Sequence, residues 1–253
     1  MKLLENRVAI VSGAAQGIGQ AIAEVFAEHG AAVVIADLNL EKAGKVATEI
    51  AKGSGSHAMA LYVNVADKAS VKAMVDETMQ QFGCIDILVN NAGILRPHYI
   101  IDLTEEDWDA VFDVNAKGTF LCSQAVAKVM IQQRSGVIIN ISSASGKKPD
   151  PKGAAYCSSK SAIIGFTRVL ALELGPYGIR ANAICPGATD TEMLRAVCEA
   201  VPGFYEQLVA RTALGKIATP RDQANMALFL ASDLASHVTG EAILVAGGEL
   251  MGE

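Results

Sequence analysis

Charge is scarce in this chain. Only 19% of its 253 residues are Asp, Glu, Lys or Arg, against roughly 25% in ordinary soluble domains. Cations are scarcer than anions, 21 Lys and Arg against 27 Asp and Glu, for a net charge of −6. Nucleic acid and anionic membrane surfaces demand clustered positive charge, so neither is expected as a partner. Long apolar runs are missing too. The longest, such as Ala31 to Ala36 and Met226 to Ala231, reach six residues, whereas a membrane-spanning helix needs about 20. Glu5 and Arg7 interrupt the start of the chain before the apolar segment of a signal peptide can develop. The five cysteines are widely spaced with no C-x-x-C pair, and the four histidines are scattered. No metal site is expected, and the thiols read as reduced core residues of a cytoplasmic protein.

Apolar surface is what the chain has in excess. Hydrophobic residues make up 51% before its 23 glycines are added, and a chain of this length can bury about 70% of its surface. Seven short runs read as strands: 7–12, 31–37, 58–63, 86–90, 136–141, 179–184 and 242–245. Most are continuously apolar rather than alternating, as a parallel sheet covered on both faces requires. Amphipathic helices lie between them. Asp67 caps a helix carrying Val71, Met74, Val75, Met79 and Phe82, and Gly83 ends it. Thr104-Glu105-Glu106-Asp107 has the form of a capping box, and Thr219-Pro220-Arg221-Asp222 orders a cap, an N1 proline and an acidic first turn. Strand and helix in strict succession predict an α/β fold with a doubly wound seven-stranded parallel sheet, right-handed crossovers and one domain over 1–253.

The first strand runs into Ser12-Gly13-Ala14-Ala15-Gln16-Gly17-Ile18-Gly19. Glycines between a first strand and first helix let the backbone approach a pyrophosphate, and the helix N-terminus offers unpaired N–H groups to it. Asp37 closes the second strand 24 residues after Gly13, near the offset of about 20 at which a carboxylate reaches an adenosine ribose. That carboxylate accepts from ribose hydroxyls and repels a 2′-phosphate. Leu38-Asn39-Leu40 brings no arginine and Gln16 is neutral, so a phosphate would find no nearby cation and NAD is expected over NADP.

The G-x-x-x-G-x-G spacing, Asn90-Asn91-Ala92-Gly93 and Tyr156-Cys157-Ser158-Ser159-Lys160 together resemble the short-chain dehydrogenase/reductase family. The resemblance extends from Asn6 to Gly248, with Ser12 where the family usually has Thr. It implies a Rossmann-like fold, and a cofactor site made of Gly13, Gln16, Gly17, Ile18, Gly19, Asp37, Asn64, Val65, Asn91, Ala92 and Gly93. Asn64 stands in place of the family's Asp. Pro186, Gly187, Thr189 and Thr191 are implied at the nicotinamide carboxamide. Tyr156 is implied as the acid/base, with Lys160 as its electrostatic partner and ribose ligand, and Ser143 rather than neighbouring Ser142 as the residue that bonds the substrate oxygen. Asn115 is implied as the residue that kinks its helix and holds a water, at the end of a proton path through the ribose and Lys160.

Tyr156 and Lys160 are i and i+4, hence on one helical face. Reduction of a carbonyl needs a proton donor beside the hydride source. A phenol with a pKa of about 10 is a poor base at neutral pH. An ammonium at about 4 Å is worth about 4 kcal/mol at an effective dielectric of 20, a depression of about two to three pH units.

Substrate contacts are expected from Ser143, His98, Asp150 and Met193, with residues 188–217 forming a lid. The expected reaction is the NAD-dependent interconversion of a small-molecule secondary alcohol and ketone, of polyol, sugar or hydroxy-ketone type. A 3-oxoacyl-thioester reductase is the alternative, and a catalytically silent NAD-binding partner protein is the alternative of another class. The helix over 154–174 is too apolar for one buried stripe. With the family resemblance, this predicts a homotetramer of dihedral symmetry.

Overall fold

The computed structural model describes residues 2–251. Its strands are β1 (Val8–Ser12), β2 (Ala32–Asp37), β3 (Ala58–Tyr62), β4 (Ile87–Asn90), β5 (Gly136–Ile141), β6 (Ile179–Pro186) and β7 (Ala242–Val245). They form one parallel sheet in the order β3-β2-β1-β4-β5-β6-β7. The expected strands are all present, with ends displaced by at most two residues. Arg7 and Asp86 fall outside the ladder, and their side chains pair with each other at 3.5 Å.

Both faces of the sheet are covered. One carries α1 (Gly17–Glu28), α2 (Leu40–Ser54) and α9 (Pro220–Ala231), and the other carries α3 (Lys68–Phe82), α5 (Gly118–Gln133) and α6 (Ala154–Leu174). Within β1, Ala9 and Val11 pack into the first layer and Ile10 into the second. All five β1 residues are buried, which accounts for the continuous apolar runs.

The caps follow the sequence with one exception. Asp67 accepts from the Ala69 N–H at 2.9 Å, and Gly83 ends α3 with φ +76°. Thr219 and Asp222 form the reciprocal capping box of α9. At α4 (Glu105–Phe112) Thr104 accepts from the Asp107 N–H at 3.1 Å, but the Asp107 carboxylate turns to Arg96 and His98, leaving half a box.

The long helix expected after Thr104 is not continuous. A single π turn, Asp113–Lys117, separates α4 from α5. Beyond β6 the chain makes an excursion closed at its neck: the Asp190 N–H donates to the Ala218 carbonyl and the Ala218 N–H to that of Ala188, both at 2.9 Å. Inside it lie α7 (Glu192–Ala200), which has no buried residue, and α8 (Phe204–Arg211), where only Leu208 is buried.

Candidate active site

The strand order reverses between β1 and β4, and in doubly wound sheets the crevice beyond the carboxyl ends at such a point receives ligands. A cleft of about 1470 Å³ opens there, against roughly 300–1,000 Å³ for a site that takes one drug-sized molecule. There is room for a dinucleotide beside a substrate.

The glycine turn fits a dinucleotide on its geometry. Gly13 and Gly17 hold φ of +63° and +60°, a region L side chains rarely enter. A Cβ on Gly13 would stand 2.8 Å from Ala92 Cα, and one on Gly19 would stand 2.4 Å from Asn91 Nδ2. Gly19 therefore packs the turn against Asn91, just past β4, and does not line the cleft, whereas Gly13, Gln16, Gly17 and Ile18 do. The first N–H groups of α1 receive no side-chain cap, which leaves them for an anion. Asn91 holds the turn shut, its Nδ2 donating to the carbonyls of Ser12 (3.0 Å) and Gly13 (2.8 Å). Ser12 Oγ accepts from the N–H groups of Asn91 and Ala92, so the hydroxyl that replaces the family's threonine is in use.

At the far rim Asp37 accepts from the Ala15 N–H (3.0 Å) and the Asn39 N–H (2.9 Å). Asn39, not Asp37, caps α2. Asn64 and Val65 line the cleft, with Asn64 Oδ1 taking the Ala66 N–H. The expectation of no cation nearby does not hold at the glycine turn. Lys42 Nζ lies 3.2 Å from Gln16 Oε1 and 3.8 Å from Glu192 Oε2, brought there by the first turn of α2 and by the lid, neither of which is adjacent in sequence to the glycine turn.

Ala92, Gly93, Pro186, Gly187, Thr189 and Thr191 also line the cleft. Thr189 is held from behind by Gln223, a fully buried α9 residue whose Nε2 donates to Thr189 Oγ1 (3.1 Å) and the Val245 carbonyl (2.9 Å). Gln223 went unnoticed in the sequence because nothing in its own helix distinguishes it from a surface glutamine.

Ser143, Tyr156 and Lys160 converge on the cleft floor. The Ser143 side chain hydrogen-bonds the Tyr156 phenol and accepts from the Ser145 N–H at 3.1 Å. Its rival Ser142 also lines the cleft, but its hydroxyl donates to the Lys160 carbonyl at 2.8 Å. Lys160 is buried, its ammonium 5.6 Å from the centre of the Tyr156 ring and donating to the Ile141 carbonyl at 2.8 Å. Burial pushes the Lys160 ammonium down to about 8. It pushes the Tyr156 phenol up, with the Ser143 hydrogen bond opposing. In the protein itself Tyr156 thus moves opposite to the expected depression, because loss of water outweighs the Ser143 hydrogen bond.

Asn115 lies behind the cleft at the centre of the π turn. Its Oδ1 accepts from the Ile94 N–H (2.8 Å), and its Nδ2 donates to the Ile94 carbonyl (3.0 Å) and to Ser159 Oγ (3.0 Å). Asn115 Oδ1 and Lys160 Nζ flank the bare Cα of Gly93, where a Cβ would meet them at 3.2 and 3.4 Å.

Of the proposed substrate contacts, Met193 and Asp150 line the cleft and His98 does not. The His98 imidazole sits 3.2 Å from Asp107 on α4, and its backbone bridges to Gly153. Asp150 is paired with Arg211 at 3.6 Å, a cleft residue the sequence did not single out. Ile94, Leu95, Leu194, Val197 and Phe204 supply apolar walls.

A family model described as enoyl-(acyl carrier protein) reductase matches residues 13–249. The chain is 40% identical to the 2,3-dihydro-2,3-dihydroxybenzoate dehydrogenase of Bacillus subtilis (strain 168), over 99% of this chain and 98% of that protein. It is also 40% identical to a 3-oxoacyl-[acyl-carrier-protein] reductase of Thermotoga maritima, over 97% and 98%. A 7α-hydroxysteroid dehydrogenase solved with NADH and 7-oxo glycochenodeoxycholic acid matches with a TM-score of 0.93 at 36% identity, over 97% of this chain and 94% of that one.

Proposed function

The chain belongs to the short-chain dehydrogenase/reductase family and is an oxidoreductase of CH–OH donors that takes a nicotinamide dinucleotide; on that footing we propose that it interconverts a secondary alcohol and a ketone with NAD(H). The observation that carries this reading is the grouping of Ser143, Tyr156 and Lys160 on the floor of a cleft whose opposite end is the glycine turn. When bound, the dinucleotide supplies or accepts the hydride at the carbinol carbon. Tyr156 gives its proton to the substrate oxygen in reduction and takes it back in oxidation. Ser143 holds that oxygen beside the phenol. A phenol raised by burial stays protonated, the state that reduction requires. Lys160, fixed by the Ile141 carbonyl, places a positive charge behind the tyrosinate left after transfer, and the proton that restores the phenol would come from a water near Asn115 by way of Lys160 and the bound ribose hydroxyl.

Asp37 supports NAD over NADP, since its carboxylate stands at the rim beyond the glycine turn. The substrate class we assign is a polyol, sugar or hydroxy-ketone, gripped by Ser143 and covered by Met193 and the lid over 188–217. The second reading, reduction of a 3-oxoacyl thioester, is favoured by the likeness to the Thermotoga maritima protein. We further propose a cytoplasmic homotetramer working on small molecules, with neither nucleic acid nor membrane as partner. Five unpaired thiols support the compartment, and among the described residues no helix is long and apolar enough to cross a membrane.

Initial rates with NADH and NADPH over polyols, hydroxy-ketones, diketones and acyl thioesters test the reading. Turnover of a hydroxy-ketone or polyol with NAD(H) is expected. Turnover confined to acyl thioesters selects the second reading, and no turnover of any carbonyl contradicts both.

A further inference from the structure

Lys42 belongs to α2, yet its ammonium is placed by the cofactor rim. Its N–H donates to Asn39 Oδ1 at 3.0 Å, and the Asn39 N–H donates in turn to Asp37 Oδ1 at 2.9 Å. The backbone at Lys42 is thus linked through Asn39 to the Asp37 carboxylate. Its tip lies 3.2 Å from Gln16 Oε1 in the glycine turn and 3.8 Å from Glu192 Oε2 at the start of α7. Gln16 and Glu192 both line the cleft. Lys42 joins them from outside.

Glu192 is carried there by the seating of the lid. Thr191 caps α7, and its Cγ2 lies 3.5 Å from where a Cβ on Gly17 would stand, so the first turn of the lid rests on the glycine turn. Arg195, the cation of α7 itself, is committed to Asp190 at 2.7 and 3.0 Å. Glu192 acts on Arg195 only through space, and its ion pair is with Lys42.

We infer that Glu192 is a cofactor-selectivity residue borne on the lid, holding the Lys42 ammonium that a 2′-phosphate on the adenosine ribose would otherwise recruit. This rests on the assignment of NAD as the cofactor. A phosphate monoester carries close to two negative charges at pH 7 and competes with Glu192 for the same cation, while the Glu192 carboxylate repels it. With the lid seated, Asp37 and Glu192 oppose the phosphate from two sides of the rim. The discrimination therefore depends on lid position, which Asp37 alone would not provide.

Equilibrium titration of NADH and NADPH, followed by nucleotide fluorescence, reads the effect without turnover. The proteins are wild type, Glu192→Gln, Lys42→Gln and the double variant. In Glu192→Gln, NADPH affinity is expected to rise by about three- to tenfold, as release of one exposed pair and its repulsion allows, while NADH affinity stays within about twofold. In the double variant the gain disappears. Unchanged NADPH affinity in Glu192→Gln, or a gain that persists without Lys42, overturns the inference. Tighter binding of NADPH than NADH by wild type overturns instead the NAD assignment on which it rests.

Discussion

Burial moves the two titratable groups of the cleft floor in opposite senses, because it disfavours whichever form is charged. Lys160 falls from 10.5 to about 8 while Tyr156 rises. For Lys160 the linkage has a definite sign. Below pH 8 both the folded and unfolded chains hold the proton, and the folded state bears the full cost of the buried ammonium. Between pH 8 and 10.5 the unfolded chain keeps a proton that the folded one has lost, so this group's contribution to stability improves as pH rises. Relative to Lys160→Met, the unfolding free energy of wild type is expected to increase by about 2 kcal/mol between pH 7.5 and 10. Denaturant titration at the two pH values checks this, and a difference that falls with pH contradicts it. At Ser143, alanine removes a group that touches both the phenol and the substrate oxygen, and kcat/KM is expected to drop about 10- to 1,000-fold with the fold unchanged. A loss under threefold, measured by steady-state kinetics, contradicts that role. The family resemblance pointed to Tyr156, Lys160 and Ser143, and the fold brings all three to one cleft, but depth is not written in an i,i+4 interval. The sign of the tyrosine shift therefore became available only with the fold.

The break in the helix between Thr104 and Gln133 has an identifiable cause. Asn115 trades its place in a regular helix for three hydrogen bonds that bind the loop after β4 to α6. The π turn is the extra residue's worth of backbone that lets its side chain reach them. Asn115→Ala leaves the Ile94 N–H and carbonyl without these partners, and is expected to destabilise the protein by about 2–4 kcal/mol and to lower kcat. Urea unfolding beside turnover tests it; a change below about 0.5 kcal/mol contradicts the account. Elements built from local signals were legible in the sequence: strand runs, the Asp67 and Thr219 caps, and the glycine turn. Contacts between elements distant in the chain were not. Asp107 satisfies the pattern of a capping box, yet its carboxylate is drawn away by Arg96 and His98. Lys42 reads as an ordinary exposed residue of α2 until the lid brings Glu192 to it.

The sheet consumes most of the apolar excess, since every strand from β4 through β6 is buried on both faces. Some remains outside. On α6, Val169 and Leu172 are exposed, Leu172 at 79%, and Phe166 meets Phe120 of α5 edge to face at 6.2 Å. These residues fit the subunit contacts of the proposed tetramer. Light scattering at micromolar concentration is expected to give a tetramer for wild type and a smaller species for Leu172→Glu, whereas a stable wild-type monomer refutes this use of the surface. The central claim concerns the whole molecule as an enzyme whose proton passes through one phenol. Tyr156→Phe removes a single oxygen from the cleft and leaves the glycine turn, Asp37 and Lys160 in place. Turnover of the best ketone substrate with NADH should fall at least about 10³-fold, while NADH binding, followed by fluorescence, stays within about twofold of wild type. A variant that binds NADH and retains substantial turnover contradicts the account.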